Sequence, residues 1–435
     1  MMATPATGII GVLVLLVMLL LGVRIGVALG LVGIGGLALV IGTEPALIKA
    51  GVVVIEVLTK YELGTLPLFL LMAQLFFAAD ASRDLFDAAA KFLGHRRGGL
   101  AYAAVAGCAG FGTINGSSLA TAATVGSVAL PEMRKRGYSD ALATGSVAAG
   151  GTLGQMIPPS GALIVFGIIA EQSIGTLFTA AIIPGITQTL LYMAVIWLVI
   201  RFRPDLGPTS ERASWGERLR SIARIWDMII LITLVIGGIT IGWVSPSEAA
   251  AIGATGALII ATIRRRLNLA MLRDAFETTL QTSGLILLVI IGALIFSVFV
   301  SVTGLTDALG DAVRSMHLGS FATLVLITLF LLLLGSVLDG LALMLLTTPI
   351  LLPIVVDAGM TPIWFGIFIT RAMEIGFVHP PLGMNLYVIQ GVAKDVSINK
   401  IFKGVLPFLA SDFVHLLILI LLPATVLWLP DLVSQ

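Results

Sequence analysis

The chain has 435 residues, 58% of them hydrophobic and 11% charged, where a soluble domain carries roughly 25% charged residues. That excludes a soluble globular protein and identifies a polytopic integral membrane protein. A net charge of +1 gives no footing for nucleic acid, and a single cysteine, Cys108, excludes an internal disulfide or a multi-cysteine metal site.

"MMATPATG" places no basic residue before the first apolar run, so residues 5–22 read as a retained transmembrane helix, not a secretory signal. Apolar blocks follow at about 25–42 and 65–80. "DASRDLFDAAAKFLGH" (Asp80–His95) spaces its acids as an interfacial amphipathic helix does. Residues 98–133 are long for one span of roughly 20 residues and short for two. They are interrupted at "GTINGSS" (Gly112–Ser118), which predicts a re-entrant helical hairpin. Residues 140–172 contain "QMIPPSG" (155–161), whose adjacent prolines must break the helix. A block at 176–200 closes the first half, and 201–224 reads as a cytoplasmic linker. The second half has blocks at 227–244, 247–264 and 287–302, then the amphipathic "LTDALGDAVRSMH" (Leu305–His317). A second hairpin is expected at 319–355, interrupted at "GSVLDG" (Gly335–Gly340), a second broken helix at 362–393, and a last block at 405–430.

The two halves coincide under a shift of 222 residues. Pro131 falls on Pro353, Gly137 on Gly359, Gly154 on Gly376, Pro158 and Pro159 on Pro380 and Pro381, and Gly161 on Gly383. Residues 1–200 and 225–435 therefore read as two repeats. Each has five crossings, an odd number, so the second is inverted. With the N-terminus outside, 21 of the 25 Lys and Arg residues fall on the inside, as the positive-inside rule requires. Lys49, Lys60 and Arg314 lie outside and Arg371 lies within a span. Inverted repeats with helices broken at mid-membrane mark secondary transporters, where unwound carbonyls ligate cations and half-helix N-termini face anions. No P-loop, HExxH or GxSxG motif is present, so neither ATP hydrolysis nor an intramembrane enzyme is expected.

"GTINGSSLATAATVGSVALPEMRKRGYSDALATGSVAAGGTLGQMIPPS" (112–160) and "EIGFVHPPLGMNLYVIQG" (374–391) resemble the signature regions of the large membrane subunit of tripartite ATP-independent periplasmic (TRAP) transporters. The resemblance covers essentially the whole chain. It implies an elevator-type, sodium-coupled importer of small organic anions, usually carboxylates, in a bacterial or archaeal inner membrane. It also implies two partners, a small four-helix membrane subunit and a periplasmic substrate-binding protein, neither expected to be fused to this chain. Beyond sodium as coupling ion, no cofactor is implied. The family's second motif usually reads Thr-Pro-Pro; here it is His379-Pro380-Pro381, which puts the second cation site in question.

Sodium wants oxygen ligands, as other hard cations do. Candidates at the first tip are Asn115, Gly116 and Ser117, facing the break with Gly154 and Pro158. At the second they are Gly335, Asp339 and Gly340, facing Gly376, Pro380 and Gly383. Substrate candidates are Ser118, Ser160 and Asn385, the last two of which could instead cap the restarted half-helices. Arg371 and Glu374 lie one turn apart inside a span. Either Arg371 meets the substrate anion or the two neutralise each other. His95 and His317 read as interfacial, and His415, near Asp412, as a packed neutral histidine with a proton site as the alternative. The rival reading is a standalone elevator-type carboxylate/cation symporter that needs no binding protein.

Overall fold

In a lipid environment each backbone N–H and C=O must find its partner within the chain, and a helix does so segment by segment. The computed structural model describes residues 4–336, 338–380 and 383–433, and among these it contains 21 α-helices and no strand. Pro381, half of the expected second proline pair, lies outside the described residues. The first half comprises α1 (Pro5–Leu20), α2 (Ile25–Ile41), α3 (Thr43–Thr59), α4 (Thr65–Ala78), α5 (Ala81–Leu93), α6 (Gly99–Asn115), α7 (Ser118–Lys135), α8 (Asp140–Met156), α9 (Gly161–Ile169) and α10 (Ile174–Phe202). After α11 (Trp215–Ile222) come α12 (Trp226–Thr240), α13 (Pro246–Ile263), α14 (Leu269–Val302), α15 (Leu305–Ser315), α16 (Ser320–Gly335) and α17 (Gly340–Asp357). The chain ends with α18 (Pro362–Val378), α19 (Met384–Val392), α20 (Ile398–Leu421) and α21 (Ala424–Val433).

Both amphipathic segments are helical, as α5 and α15, and both interrupted runs form helix pairs, α6–α7 and α16–α17. Three elements depart from expectation. The segment between residues 42 and 65, assigned no helix, forms α3. The block expected near 287 begins at Leu269, so α14 runs 34 residues, about 51 Å at 1.5 Å per residue. The block expected at 405–430 is split after Leu421, where Leu422 and Pro423 separate α20 from α21.

By length and composition six helical stretches suffice to cross a membrane, or up to eight if the bent pairs α8–α9 and α11–α12 each count as one. The arm α17 is among the six, whereas α1, α2, α16 and α21 are shorter apolar helices.

Small residues let these helices approach closely. A Cβ at Gly26 of α2 would stand 2.9 Å from the Val289 nitrogen of α14, and one at Gly292 would stand 2.4 Å from the Gly26 carbonyl. The counterpart contact pairs α13 with α4, where a Cβ at Gly253 would meet the Met72 sulfur at 2.6 Å. The 222-residue shift exchanges these two pairings. The tightest crossing is α8 on α20: a Cβ at Gly404 would lie 2.0 Å from the Ala141 carbonyl oxygen. Backbone cannot retreat there, so Gly404→Val is expected to abolish recovery of folded protein. Size-exclusion chromatography of the solubilised variant checks this.

Ion pairs gather one end of the molecule. Arg264 meets Asp84 at 2.8 Å and Asp227 at 2.7 Å, Arg266 meets Asp80 at 3.2 Å, and Lys91 meets Glu217 at 3.5 Å. Arg134 joins Asp140 and Asp395, and Lys400 also reaches Asp140. The hydrogen bond from Arg134 holds the Asp395 carboxyl below its ordinary range. The linker crosses the same end. Gly98 N–H donates to the Gly207 carbonyl (2.8 Å), Ser139 N–H to Leu206 (3.0 Å), and Ser210 N–H to Gly94 (2.9 Å). Most of the basic segments expected inside are thus tied to one another. Arg314 instead pairs with Asp311 and Asp357, at neither of which those segments appear.

Candidate functional site

The first helix pair turns at Gly116, whose φ of +63° is open to glycine and strained for other residues. Its N–H donates to the Gly112 carbonyl at 3.0 Å, ending α6 at Asn115. Ser117 starts α7 by accepting from Ala120 N–H at 3.5 Å. Facing this tip, Pro158 and Pro159 offer no N–H, so α8 stops at Met156. Ser160, fully buried, restarts the chain by capping α9 through Leu163 N–H at 3.4 Å. The two half-helices are bent by 41°. Tip and break interlock. Gly161 N–H donates to the Gly116 carbonyl at 3.4 Å, and a Cβ on Gly116 would stand 2.6 Å from the Pro159 oxygen. Gly112 abuts Gly154, where a Cβ would be 2.7 Å from the Gly154 Cα; a Cβ on Gly154 would meet Thr121 Oγ1 at 2.4 Å.

The second tip repeats the principle with different residues. A Cβ on Gly376 of α18 would stand 2.8 Å from the Gly335 carbonyl at the end of α16. Asp339, exposed, caps α17 by accepting from Leu341 and Ala342 N–H at 2.9 and 3.1 Å. Gly340 lies against Met373, which a Cβ would meet at 2.3 Å. His379 closes α18 by donating its N–H to the Ile375 carbonyl (2.8 Å), and its own carbonyl accepts from Gly383 N–H (3.0 Å) across Pro380. Its Nδ1 is buried without a partner.

A cavity of about 180 Å3 lies where these parts meet. Asn115, Gly116 and Ser117 line it from the first tip, and Gln155, Pro159 and Gly161 from the break. Leu341 reaches it from the start of α17. Phe69 of α4 and Thr282 and Ile286 of α14 wall it. The N-terminal ends of α7, α9 and α17 all touch this space. A helix N-terminus has a positive dipole end that favours an anion; Ser117 and Ser160 cap α7 and α9 with neutral hydroxyls, whereas the Asp339 carboxylate already takes up the end of α17. No charged side chain is among the described lining residues. The oxygens available at the tip are carbonyl, hydroxyl and amide, hard donors suited to a monovalent cation. Among the described residues no group of three or more His, Cys, Asp or Glu forms a transition-metal site.

Ser118, Ser160, Asn385 and Arg371 do not line this cavity. The Ser118 hydroxyl lies 2.9 Å from Glu374 Oε2 and 3.2 Å from the Gly151 carbonyl. Asn385 does not cap α19. Its Nδ2 donates to the Ala148 carbonyl of α8 at 3.1 Å, and its Oδ1 is left without a partner. The pairing of Arg371 with Glu374 weighed from the sequence is not the one the fold makes. Arg371 bonds Asp412 of α20, with the Tyr192 hydroxyl at 3.5 Å. Asp412 also accepts from Gln188 Nε2 at 2.9 Å, and Tyr192 meets Thr152 at 2.8 Å, so α8, α10, α18 and α20 share one buried polar network. His415, at the edge of this network, meets Thr187 at 3.0 Å. Gln155, a lining residue, was not among the sequence candidates. Its only signal is an amide standing among apolar neighbours in "GTLGQMIPPS".

The profile of the family described as "Tripartite ATP-independent periplasmic transporter, DctM component" matches residues 12–425. A C4-dicarboxylate TRAP transporter large permease protein of Pseudomonas aeruginosa is 32% identical over 399 residues, which cover 91% of this chain and 92% of that one. A sialic acid TRAP transporter large permease protein of Vibrio cholerae is 31% identical over 374 residues, covering 86% and 87%. The crystal structure of the YdaH transporter of Alcanivorax borkumensis shares the fold, with a TM-score of 0.58 at 16% identity, over 86% of this chain and 88% of that one.

Proposed function

Since this chain belongs to the DctM component family of tripartite ATP-independent periplasmic transporters, we propose that it imports a small organic anion, most simply a carboxylate, by sodium-coupled secondary transport. As a large permease it is a multi-span membrane protein of the bacterial inner membrane type and a transporter, not an enzyme. One observation carries the reading: the N-terminal ends of α7 and α9, capped only by neutral serines, converge on a cavity between the first tip and the first break that has no charged side chain among its described lining residues. An anion fits their dipoles. In this reading sodium ions occupy the oxygen-rich backbone at each tip. The first site uses Asn115, Gly116, Ser117, Gly154 and Pro158, and the second Gly335, Asp339, Gly340, Gly376, Pro380 and Gly383. The interlocking of Gly116 with Gly161, and of Gly335 with Gly376, supports such coupling, because an ion bound at either contact orders tip and break together.

The two halves act as inverted repeats with the N-terminus outside. The matched pairings of α2 with α14 and α13 with α4 support the repeat, and the mutual ion pairs of the basic segments support the orientation. The helix pairs and broken helices move as one body against α1–α4 and α12–α14 together with the small four-helix subunit. The shared network of Arg371, Asp412, Tyr192 and Gln188 supports counting α10 and α20 with the moving body. A periplasmic binding protein delivers the anion. Each net positive charge carried inward gains roughly 2.3 kcal/mol per 100 mV.

Uptake into proteoliposomes holding this chain and its small subunit tests the reading. Labelled carboxylates are offered with and without an inward sodium gradient and the cognate binding protein. Uptake that requires both is the expected result. Uptake without the binding protein favours the standalone symporter, and uptake driven by protons in sodium-free buffer removes the sodium sites.

A further inference from the structure

We propose that Gln155 is a specificity-determining residue of this cavity, and that the acid it selects is a short hydroxy-carboxylate. The inference rests on reading the cavity as the anion site.

Gln155 occupies the last turn of α8, one residue past Gly154 and three before the first proline of the break. Only 8% of its surface is exposed, it lines the cavity, and among the described residues its amide has no hydrogen-bond partner. Its burial therefore leaves a donor and an acceptor both waiting. The amide opens on the cavity, where water can serve it, and a ligand that displaces such water without matching both donor and acceptor loses affinity. The other groups at hand are few. Asn115 and Ser117 offer polar atoms from the tip, and Thr282 offers a hydroxyl from the α14 wall. Apolar surface from Phe69, Leu70 and Ile286 makes up much of the rest.

Chemistry chooses between acids. An unsubstituted carboxylate only accepts hydrogen bonds, so it can satisfy Gln155 Nε2 and leaves Oε1 bare. A hydroxyl both donates and accepts, and completes the amide. A site whose polar group is matched to a substrate hydroxyl rejects the analogue that lacks it far more strongly than an apolar pocket rejects an added hydroxyl. Size narrows the class. At about 180 Å3 the cavity suits a compact acid.

The test measures direct binding to the purified two-subunit complex in sodium buffer, without the binding protein, so that its own selectivity does not intrude. The probes are three pairs: 2-hydroxysuccinate and succinate, 2-hydroxyglutarate and glutarate, lactate and propionate. The wild type is expected to bind the hydroxylated member of at least one pair about tenfold or more tightly. Gln155→Leu is expected to weaken both acids but the hydroxylated one more, reducing that ratio to about threefold or less, and residual binding of either shows that the site still forms. Gln155→Met is the second apolar replacement. If the wild type binds acids without discriminating within any pair, or if both variants lose both members equally, the Gln155 assignment is overturned. If the wild type neither binds nor imports any of the six acids, the carboxylate-carrier reading falls with it.

Discussion

Arg371→Met is expected to destabilise the folded complex by about 3–5 kcal/mol, because it leaves the fully buried Asp412 carboxylate without its cation. Asp412→Leu should do the same from the other side, stranding the guanidinium. The double variant Arg371→Met/Asp412→Leu should recover most of the loss, since replacing a buried ion pair by apolar groups of similar volume is often neutral. A double-mutant cycle on thermal unfolding of the solubilised complex measures this coupling. Additive single effects would mean that the two residues are not energetically paired. Arg371→Lys separates charge from geometry. Nη2 alone bonds both Asp412 and Tyr192, so a lysine ammonium, with three donors on one nitrogen, can serve both, and most of the stability is expected to remain.

The second large effect is expected at the first tip. Gly116→Ala puts a side chain into left-handed backbone, which costs an L-residue roughly 1–2 kcal/mol, and drives its Cβ to 2.6 Å from the Pro159 carbonyl. The tip must lift from the break. Sodium-dependent uptake should then fall at least about tenfold, the equivalent of roughly 1.4 kcal/mol. Gly137→Ala is the control. Its φ of +79° brings the same kind of torsional cost, yet nothing lies within 4 Å of the new methyl. Its uptake should stay close to wild type. Equal losses in the two variants would show that torsion alone, and not contact with the break, governs the tip.

The parts of this molecule legible in the sequence are those with local causes. Pro158 and Pro159 stop a helix wherever they stand, and Gly116 followed by two serines marks a turn and a cap. The apolar runs around them needed no tertiary information either. Other features depend on context. The segment Thr43–Thr59 carries Glu44, Lys49 and Glu56, and its moderate polarity hid a helix that packs against α2 and α14. Polar residues in "RDAFETTLQTSG" hid the first half of α14, although nothing in that stretch interrupts a helix. Arg371 had an acid one turn away, so the local rule pointed to Glu374. The fold presents Asp412 from another helix instead, and Glu374 is taken up by Ser118. Gln155 opens the quoted "QMIPPSG" stretch, but the prolines there explain the break without it, and only its position beside an open space gives the amide a role.

That no lysine or arginine is among the described residues lining the cavity bears on how long an occupant stays. A full cation facing a carboxylate in a water-poor site makes a strong bond that must be broken at each departure. Helix ends present only about half a charge each, spread over several N–H groups. An anion held in this way can exchange those contacts for water one at a time. Affinity in related sites varies chiefly through the rate of leaving. A cavity furnished with dipoles therefore suits short residence, and a protein that must empty itself on every cycle gains throughput from a grip it can release.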